Sequence, residues 1–207
     1  MTITAWFKMN TVTASARIVS KEHPTGTVSG WCINIDFSNK VQFQLLSGGT
    51  FTISGNTTIL PNVKYFVCAW YDGAHIRIFL NGADDQPGGG PSASGTASNT
   101  DPLCIGCQSF AFTSIFPGII EDVRFYNRTL NEEGIRSLYQ ARGGDRNTYG
   151  LQARWKLNEG YSGQSAIHRI LDSGGGNNYN GYVVAAPTLG TYTDQLVVSR
   201  STVLSGD

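Results

Sequence analysis

The sequence predicts an all-β sandwich with one short helix. Three observations predict it. Apolar and polar residues alternate with period two in four separate stretches. Small polar clusters containing Gly, Asn, Asp or Ser separate the stretches. The composition is rich in turn formers and poor in charge: 25 of 207 residues are Gly, and Asp, Glu, Lys and Arg together make 14%. Hydrophobic residues make 40%, enough to bury a sizeable core and to exclude wholesale disorder.

The elements follow in chain order. Trp31, Ile33, Ile35 and Phe37 alternate with Cys32, Asn34 and Asp36. Val41, Phe43 and Leu45 alternate with Gln42 and Gln44. In a strand such alternation sends one set of side chains to a buried face and the other outward. Ser47-Gly48-Gly49 and Ser54-Gly55-Asn56 read as turns. Tyr71-Asp72-Gly73 before the alternating run Ile76, Ile78, Leu80 predicts a tight hairpin, closed by a turn at Asn81-Gly82. Gly82 to Pro102 is low in complexity and reads as a long surface loop, too polar and Gly-rich to pack. Leu151, Ala153, Trp155 and Leu157 alternate with Gln152, Arg154 and Lys156. A second Gly/Asn stretch spans Ser173 to Gly181. No internal repeat is visible.

The single helix starts at Asn131, which reads as its N-cap. Glu132 and Glu133 sit in the first turn, where the helix dipole favours acids. Leu130 and Ile135 form a hydrophobic staple, Ile135, Leu138 and Tyr139 share a face, and Gly143-Gly144 supplies the stop.

Composition also excludes functions. Lys plus Arg is 15 and Asp plus Glu is 15, so the basic excess of a nucleic-acid binder is missing. No apolar run approaches the ~20 residues of a membrane span. The N-terminal residues lack the pattern of a secretion signal. That leaves an intracellular protein, export by another route, or assembly inside a cell followed by release, as virion proteins are. The four cysteines, Cys32, Cys68, Cys104 and Cys107, form no disulfide framework. Cys104-Ile105-Gly106-Cys107 is a lone CxxC in strand-like context, unlike a helix-opening redox motif, and no second pair completes a zinc site. The reading is free thiols, with one disulfide as the competitor.

Two segments resemble a known family. Val67 to Gly73 running into Leu80-Asn81-Gly82 is similar to the central "YDG…LNG" hairpin of the LamG-like branch of the concanavalin A-like lectin/glucanase jelly rolls. Gly118 to Arg128, followed by the helix, is similar to that family's closing strand and helix. The family's opening "W-x-L-x-E-G…DSSG" resembles Trp155 to Gly160 and Asp172-Ser173-Gly174, which here follow the helix. Leu196-Val197-Val198 to Asp207 resembles the next family strand, and Thr2-Ile3-Thr4-Ala5-Trp6 the one after it. The resemblance therefore implies one circularly permuted module over residues 1–207. Residues 1–142 form its main body, and 151–207 form the segment that normally opens it. Donation of that segment to a neighbouring chain explains the same order.

Chemistry is sparse. A glucanase needs paired carboxylates across a cleft, and the family's E-x-D-x-x-E is missing. Glu121 and Asp122 are adjacent and on a strand would face opposite ways. Glu132-Glu133 and Asp84-Asp85 read as helix-start and loop residues, and His23, His75 and His168 are scattered. The expectation is no enzyme. The resemblance implies a structural Ca²⁺ with Asp122, Asp172 and Asn177 as ligands; the competing reading has Asp172 capping a turn and Asp122 paired with an arginine. It also implies glycan binding, for which Tyr161, Tyr179, Tyr182 and Tyr192 are the candidate stacking residues. Trp6, Trp31, Trp70 and Trp155 read as core.

The expected function is a non-catalytic structural or binding protein on a large assembly, such as a phage virion decoration or appendage protein with adhesion to a host surface or glycan. Its partners would be itself or other virion proteins, and its place the virion or another extracellular assembly surface. A soluble carbohydrate-binding lectin-like module is the alternative, and a glucanase-type glycoside hydrolase a distant third.

Overall fold

The computed structural model describes residues 1–23, 28–86, 88–95, 98–109, 111–145 and 148–157, together with the backbone of two later strands. The strands are β1 (Thr2–Met9), β2 (Arg17–His23), β3 (Ser29–Ile35), β4 (Lys40–Ser47), β5 (Thr50–Thr58), β6 (Lys64–Tyr71), β7 (Ile76–Leu80), β8 (Ala83–Asp84), β9 (Leu103–Ile105), β10 (Gly118–Tyr126), β11 (Leu151–Trp155), β12 (Gly181–Val183) and β13 (Leu196–Val198). The one helix among the described residues is α1 (Glu132–Ala141). The strands form two antiparallel sheets, ordered β11-β10-β1-β6-β7-β8 and β12-β13-β9-β2-β3-β4-β5.

The sheets enclose a core built from alternate strand residues: Ile3, Ala5, Phe7 and Met9 of β1, Trp31, Ile33 and Ile35 of β3, and Val41, Phe43 and Leu45 of β4. Trp31 stacks on Phe125 across the sandwich, centroids 6.2 Å apart and planes 6° off parallel. Each fully buried side chain of this size contributes roughly 1.5–3 kcal/mol.

The six-stranded sheet is apolar on its outer face too. Trp6, Phe66, Cys68, Phe79 and Tyr126 meet Leu130, Ile135 and Leu138 there, so α1 lies against that face. Asn131 caps the helix, accepting from the Gly134 amide at 2.9 Å. The left-handed residue that ends it is Arg142, φ +46°, one position before the expected glycines. Phe79, between the core residues Ile78 and Leu80 of β7, is buried in this second cluster.

Three other expectations change. Phe37 leaves the buried face and tips the β3–β4 turn, 89% exposed. Ser54-Gly55-Asn56 is no turn but runs inside β5. Gly55 stands there because a Cβ would come within 1.9 Å of an Asp85 carboxylate oxygen. The Gly-rich segment after β8 is no free loop but a strap across one end of the sandwich. Its backbone is gripped along its length: Pro91 accepts from the Ile76 amide at 3.4 Å, Ala93 donates to the Ala74 carbonyl at 2.7 Å, and Gly95 accepts from the Tyr71 hydroxyl at 3.0 Å. Lys21 Nζ then donates to the Asn99 carbonyl at 3.2 Å and the Asp101 carbonyl at 2.5 Å. Ala93 is buried. At Gly90 a Cβ would lie 1.5 Å from the Ile76 carbonyl oxygen, so no side chain fits.

The late strands close on this chain's own sheets. β11 pairs with β10, Val123 opposite Trp155 and Arg124 opposite Arg154. β13 pairs with β9, Val197 opposite Cys104, and β12 pairs with β13.

Candidate functional site

The outer face of the seven-stranded sheet is polar along β2 to β5, whereas the other sheet carries an apolar patch under α1 on its outer face. Registers align two rows of side chains across it. One runs Cys104, Ser20, Cys32, Gln44, Thr52 from β9 to β5. The other runs Arg17, Asn34, Gln42, Ser54. In backbone register Tyr182 stands opposite Val197, which stands opposite Cys104.

The rows grade from buried to open. Ser20, Glu22 and Cys32 are almost fully buried, Gln42, Gln44 and Ser54 are half-buried, and Thr52 is exposed at the β5 edge. The buried end is fixed by its own bonds. Arg17 Nε donates to Glu22 Oε1 at 2.6 Å and Nη2 to Oε2 at 3.2 Å, a forked pair. Burial alone would lower the Arg17 pKa, but the forked pair with Glu22 raises it. Burial, with the Glu22 carboxylate beside it, pushes the Cys32 thiol well up, so it stays protonated and donates to Gln44 Oε1 at 3.3 Å. The open end is bonded more sparsely. Gln42 Nε2 donates to Ser54 Oγ at 3.0 Å, and Asn34 Nδ2 to Gln42 Oε1 at 3.4 Å. Carboxamides and hydroxyls there offer both donors and acceptors on a rigid sheet, the complement of a sugar's vicinal hydroxyls.

Asp122 lies on the other sheet. Glu121 faces Trp6 and the register resumes at Arg124 facing Thr4, so two residues, Asp122 and Val123, oppose Ala5 alone. This is a β-bulge, with Asp122 at φ +49°. The bulge cancels the expected alternation: Glu121 reaches Lys64, and Asp122 turns to the arginines on the same face. Asp122 Oδ2 accepts from Arg124 Nη2 and Oδ1 from Arg154 Nε, both at 2.6 Å. Two guanidiniums at that range occupy the carboxylate and repel a cation, so Asp122 does not fit a calcium ligand. Asp145 completes the network, bonding Arg124 Nη1 and Nη2 at 2.7 and 2.6 Å. Burial disfavours the Arg124 charge, but Asp145 and Asp122 outweigh it and raise its pKa.

Among the described residues no group of three or more His, Cys, Asp or Glu is placed to hold a metal ion. Asp172, Asn177, Tyr161, Tyr179 and Tyr192 lie outside the described residues, and Tyr182 is described by backbone alone. The carboxylates weighed for catalysis are dispersed. Asp84 pairs with Arg77, Asp85 accepts from the Thr57 amide at 3.2 Å, and Glu132 and Glu133 open the helix.

The face was half legible beforehand. Gln42, Gln44, Cys32 and Asn34 alternate visibly with core residues, but nothing local says that they share rows with Arg17, Ser20 and Ser54. Strand pairing supplies that.

A comparison with curated proteins returned no match. Solved structures similar to this chain share its fold. A protein from Bacteroides ovatus ATCC 8483, provisionally described as carbohydrate binding, aligns with TM-score 0.60 at 19% identity, over 84% of this chain and 49% of its own. This chain thus spans about half of that protein. The CBM40 of the Ruminococcus gnavus IT-sialidase, bound to α2,3-sialyllactose, aligns with TM-score 0.54 at 18% identity, covering 67% of this chain and 80% of that one. Domain 4 of AbnA, a GH43 extracellular arabinanase from Geobacillus stearothermophilus, in complex with arabinotriose, aligns with TM-score 0.51 at 15% identity, covering 67% and 66%. The family model described as Concanavalin A-like lectin/glucanases superfamily matches residues 1–136 of the 207. With that match over most of its length, and with the two-sheet sandwich just described, the chain belongs to the concanavalin A-like lectin/glucanase superfamily.

Proposed function

We propose that this chain is a non-catalytic carbohydrate-binding module that takes a hydroxyl-rich glycan across the outer face of its seven-stranded sheet. The observation that carries the reading is the double row of carboxamides and hydroxyls, open from Gln44 and Gln42 to Thr52 and Ser54. The neighbours of this fold, described as a carbohydrate-binding protein and a CBM40, support the lectin-like reading over virion decoration. Fold alone does not fix function; the polar rows supply the chemistry. We read residues 1–207 as one module, and the pairing of β11 with β10 and of β13 with β9 supports self-closure over exchange between chains.

The test is a glycan array followed by calorimetry on the glycan bound best. A hydrogen bond contributes a net ~0.5–1.5 kcal/mol, so the double variant Gln42→Ala/Gln44→Ala should bind roughly tenfold more weakly. Unchanged affinity would move the site elsewhere, and no bound glycan would remove the reading. EDTA in the same titration tests calcium; loss of binding would point to Asp172 and Asn177.

One observation favours the assembly reading as a second. Phe37, Leu60, Val63, Phe112, Ile115 and Ile119 are all exposed. Their turns adjoin: the Ile59 amide donates to Asn39, Asn62 to Met9, Asn10 to Pro117 and Arg17 to Ser114. An apolar end of this kind suits a protein partner. Light-scattering chromatography decides between a monomer and an assembling chain.

A further inference from the structure

Cys104 lies at the centre of β9, and Cys107 follows it across Ile105 and Gly106. Gly106 takes φ +84°, a left-handed turn that suits glycine and folds the chain back within three residues. The two buried side chains pack against each other. Both residues are completely buried, and they form a small cluster apart from both hydrophobic cores.

The backbone that sets these sulfurs side by side is held on several sides. Cys104 stands in register between Ser20 and Val197. The Gly106 amide donates to the Ile18 carbonyl at 3.0 Å, and the Gly106 carbonyl accepts from Phe116 at 2.8 Å. The Cys107 carbonyl accepts from Ser20 Oγ at 2.8 Å. The other two thiols are differently placed: Cys32 donates to Gln44, and Cys68 lies in the apolar cluster facing the helix.

We propose that Cys104 and Cys107 form a redox-modification site: when opening of the chain around β9 uncovers the pair, a small-molecule disulfide such as oxidised glutathione converts it to an intramolecular Cys104–Cys107 disulfide. Cys104 packed beside it holds the Cys107 thiol below its ordinary pKa, while Cys107 and burial raise Cys104. Cys107 is therefore the attacking thiolate. Its sulfur bonds to one sulfur of the glutathione disulfide and releases one glutathione thiolate, which takes up the proton Cys107 has lost. The Cys104 sulfur, giving up its proton, then attacks Cys107 Sγ and expels the second glutathione as thiol. Two electrons pass from the cysteine pair to glutathione, and two thiols replace one disulfide in solution. The closed loop is only four residues long (104 to 107), so the chain-entropy gain is at the small end for disulfides. The bond therefore records redox state and does not staple the fold.

The experiment has two arms on the unmodified full chain. Native protein is incubated with oxidised glutathione, and unfolded protein is refolded from urea in a glutathione redox buffer. Both are alkylated, weighed by mass spectrometry and mapped by proteolysis. The expected result is loss of two of the four titratable thiols, a mass lower by two hydrogens, and a crosslink within the peptide carrying Cys104 and Cys107. A crosslink there in either arm supports the site, since the refolding arm removes the barrier of burial. Four free thiols in both arms, or a crosslink through Cys32 or Cys68, overturns it.

Discussion

Replacing Arg124 by Met tests whether the buried charge network holds β10, β11 and the segment after the helix together. Met keeps much of the arginine stem's volume and deletes its charge. The Arg124 side chain is 2% exposed, and those of its partners Asp122 and Asp145 are 11% and 10% exposed. The substitution removes two bonds to Asp122, at 2.6 and 3.1 Å, and two to Asp145, at 2.7 and 2.6 Å. Breaking a buried pair by deleting one partner costs about 3–5 kcal/mol, because the remaining charge stays desolvated. Asp122 keeps Arg154 at 2.6 Å, which puts the expectation at the low end, near ~3 kcal/mol. In a domain of this size each kcal/mol moves Tm by about 2–4 °C, so Tm should fall by roughly 6–12 °C. Urea denaturation and thermal circular dichroism read both quantities. The double variant Arg124→Met/Asp145→Asn should recover part of the loss, since it removes the second charge as well, and the cycle isolates the coupling. A loss under ~1 kcal/mol for Arg124→Met would refute the reasoning and make the network ornamental.

Three further outcomes are expected. Gly90→Ala, which must displace the Ile76 carbonyl, should cost roughly 1–3 kcal/mol, whereas Gly49→Ala, with nothing within 4 Å, should be near neutral in the same urea titration. Asn131→Ala removes the acceptor of the Gly134 amide and should cost about 1 kcal/mol, read by urea denaturation. Burial pushes the Asp72 carboxyl up, but amide bonds from Ala74 and His75 outweigh it and hold its pKa below the ordinary value. A depressed carboxylate gives stability that is present above its unfolded pKa near 3.8 and lost as pH falls through its folded value. Asp72→Asn should therefore flatten the acid limb of a stability-against-pH curve by lowering stability slightly at neutral pH and leaving the low-pH end nearly untouched, because the amide behaves like the uncharged carboxyl.

Much of the sandwich was legible because period-two patterns and caps are local signals. Trp31, Ile33, Ile35, Val41, Phe43 and Leu45 all reach the core, and Asn131 caps the helix as its spacing implies. Two of the misses turn on a partner distant in sequence, and the third, Phe37, on a local turn in which Asp36 accepts from the Ser38 and Lys40 amides. Phe37 continues the alternation of β3 but meets a turn. Gly55 looks like a turn former until Asp85 occupies the space beside it. Asp122 sits on a bulge that only pairing with β1 imposes. The candidate glycan face follows the same rule. Its residue types could be read one strand at a time, whereas the rows exist only after β2, β3, β4 and β5 are laid in order.

From Pro91 to Gly95 the strap across the sandwich end is read by its neighbours through main-chain atoms, with Pro91, Ala93, Ser94 and Gly95 each offering a backbone group, whereas Asn99 and Asp101 add side-chain bonds to Lys21, Ser29 and His23. A contact of that kind is nearly blind to side-chain identity but intolerant of a shift in spacing between anchors. Composition at positions such as Ser92 and Ser94 is free to drift, while the distance between anchors and the missing side chain at Gly90 are not. The exception lies ahead of the first anchor: at Gly88 and Gly89 the space beside the chain is open within 4 Å, and only their left-handed φ of +111° and +89° keeps them glycine. That point is where a foreign peptide or a reporter tag could be grafted, with the sandwich beneath it left undisturbed.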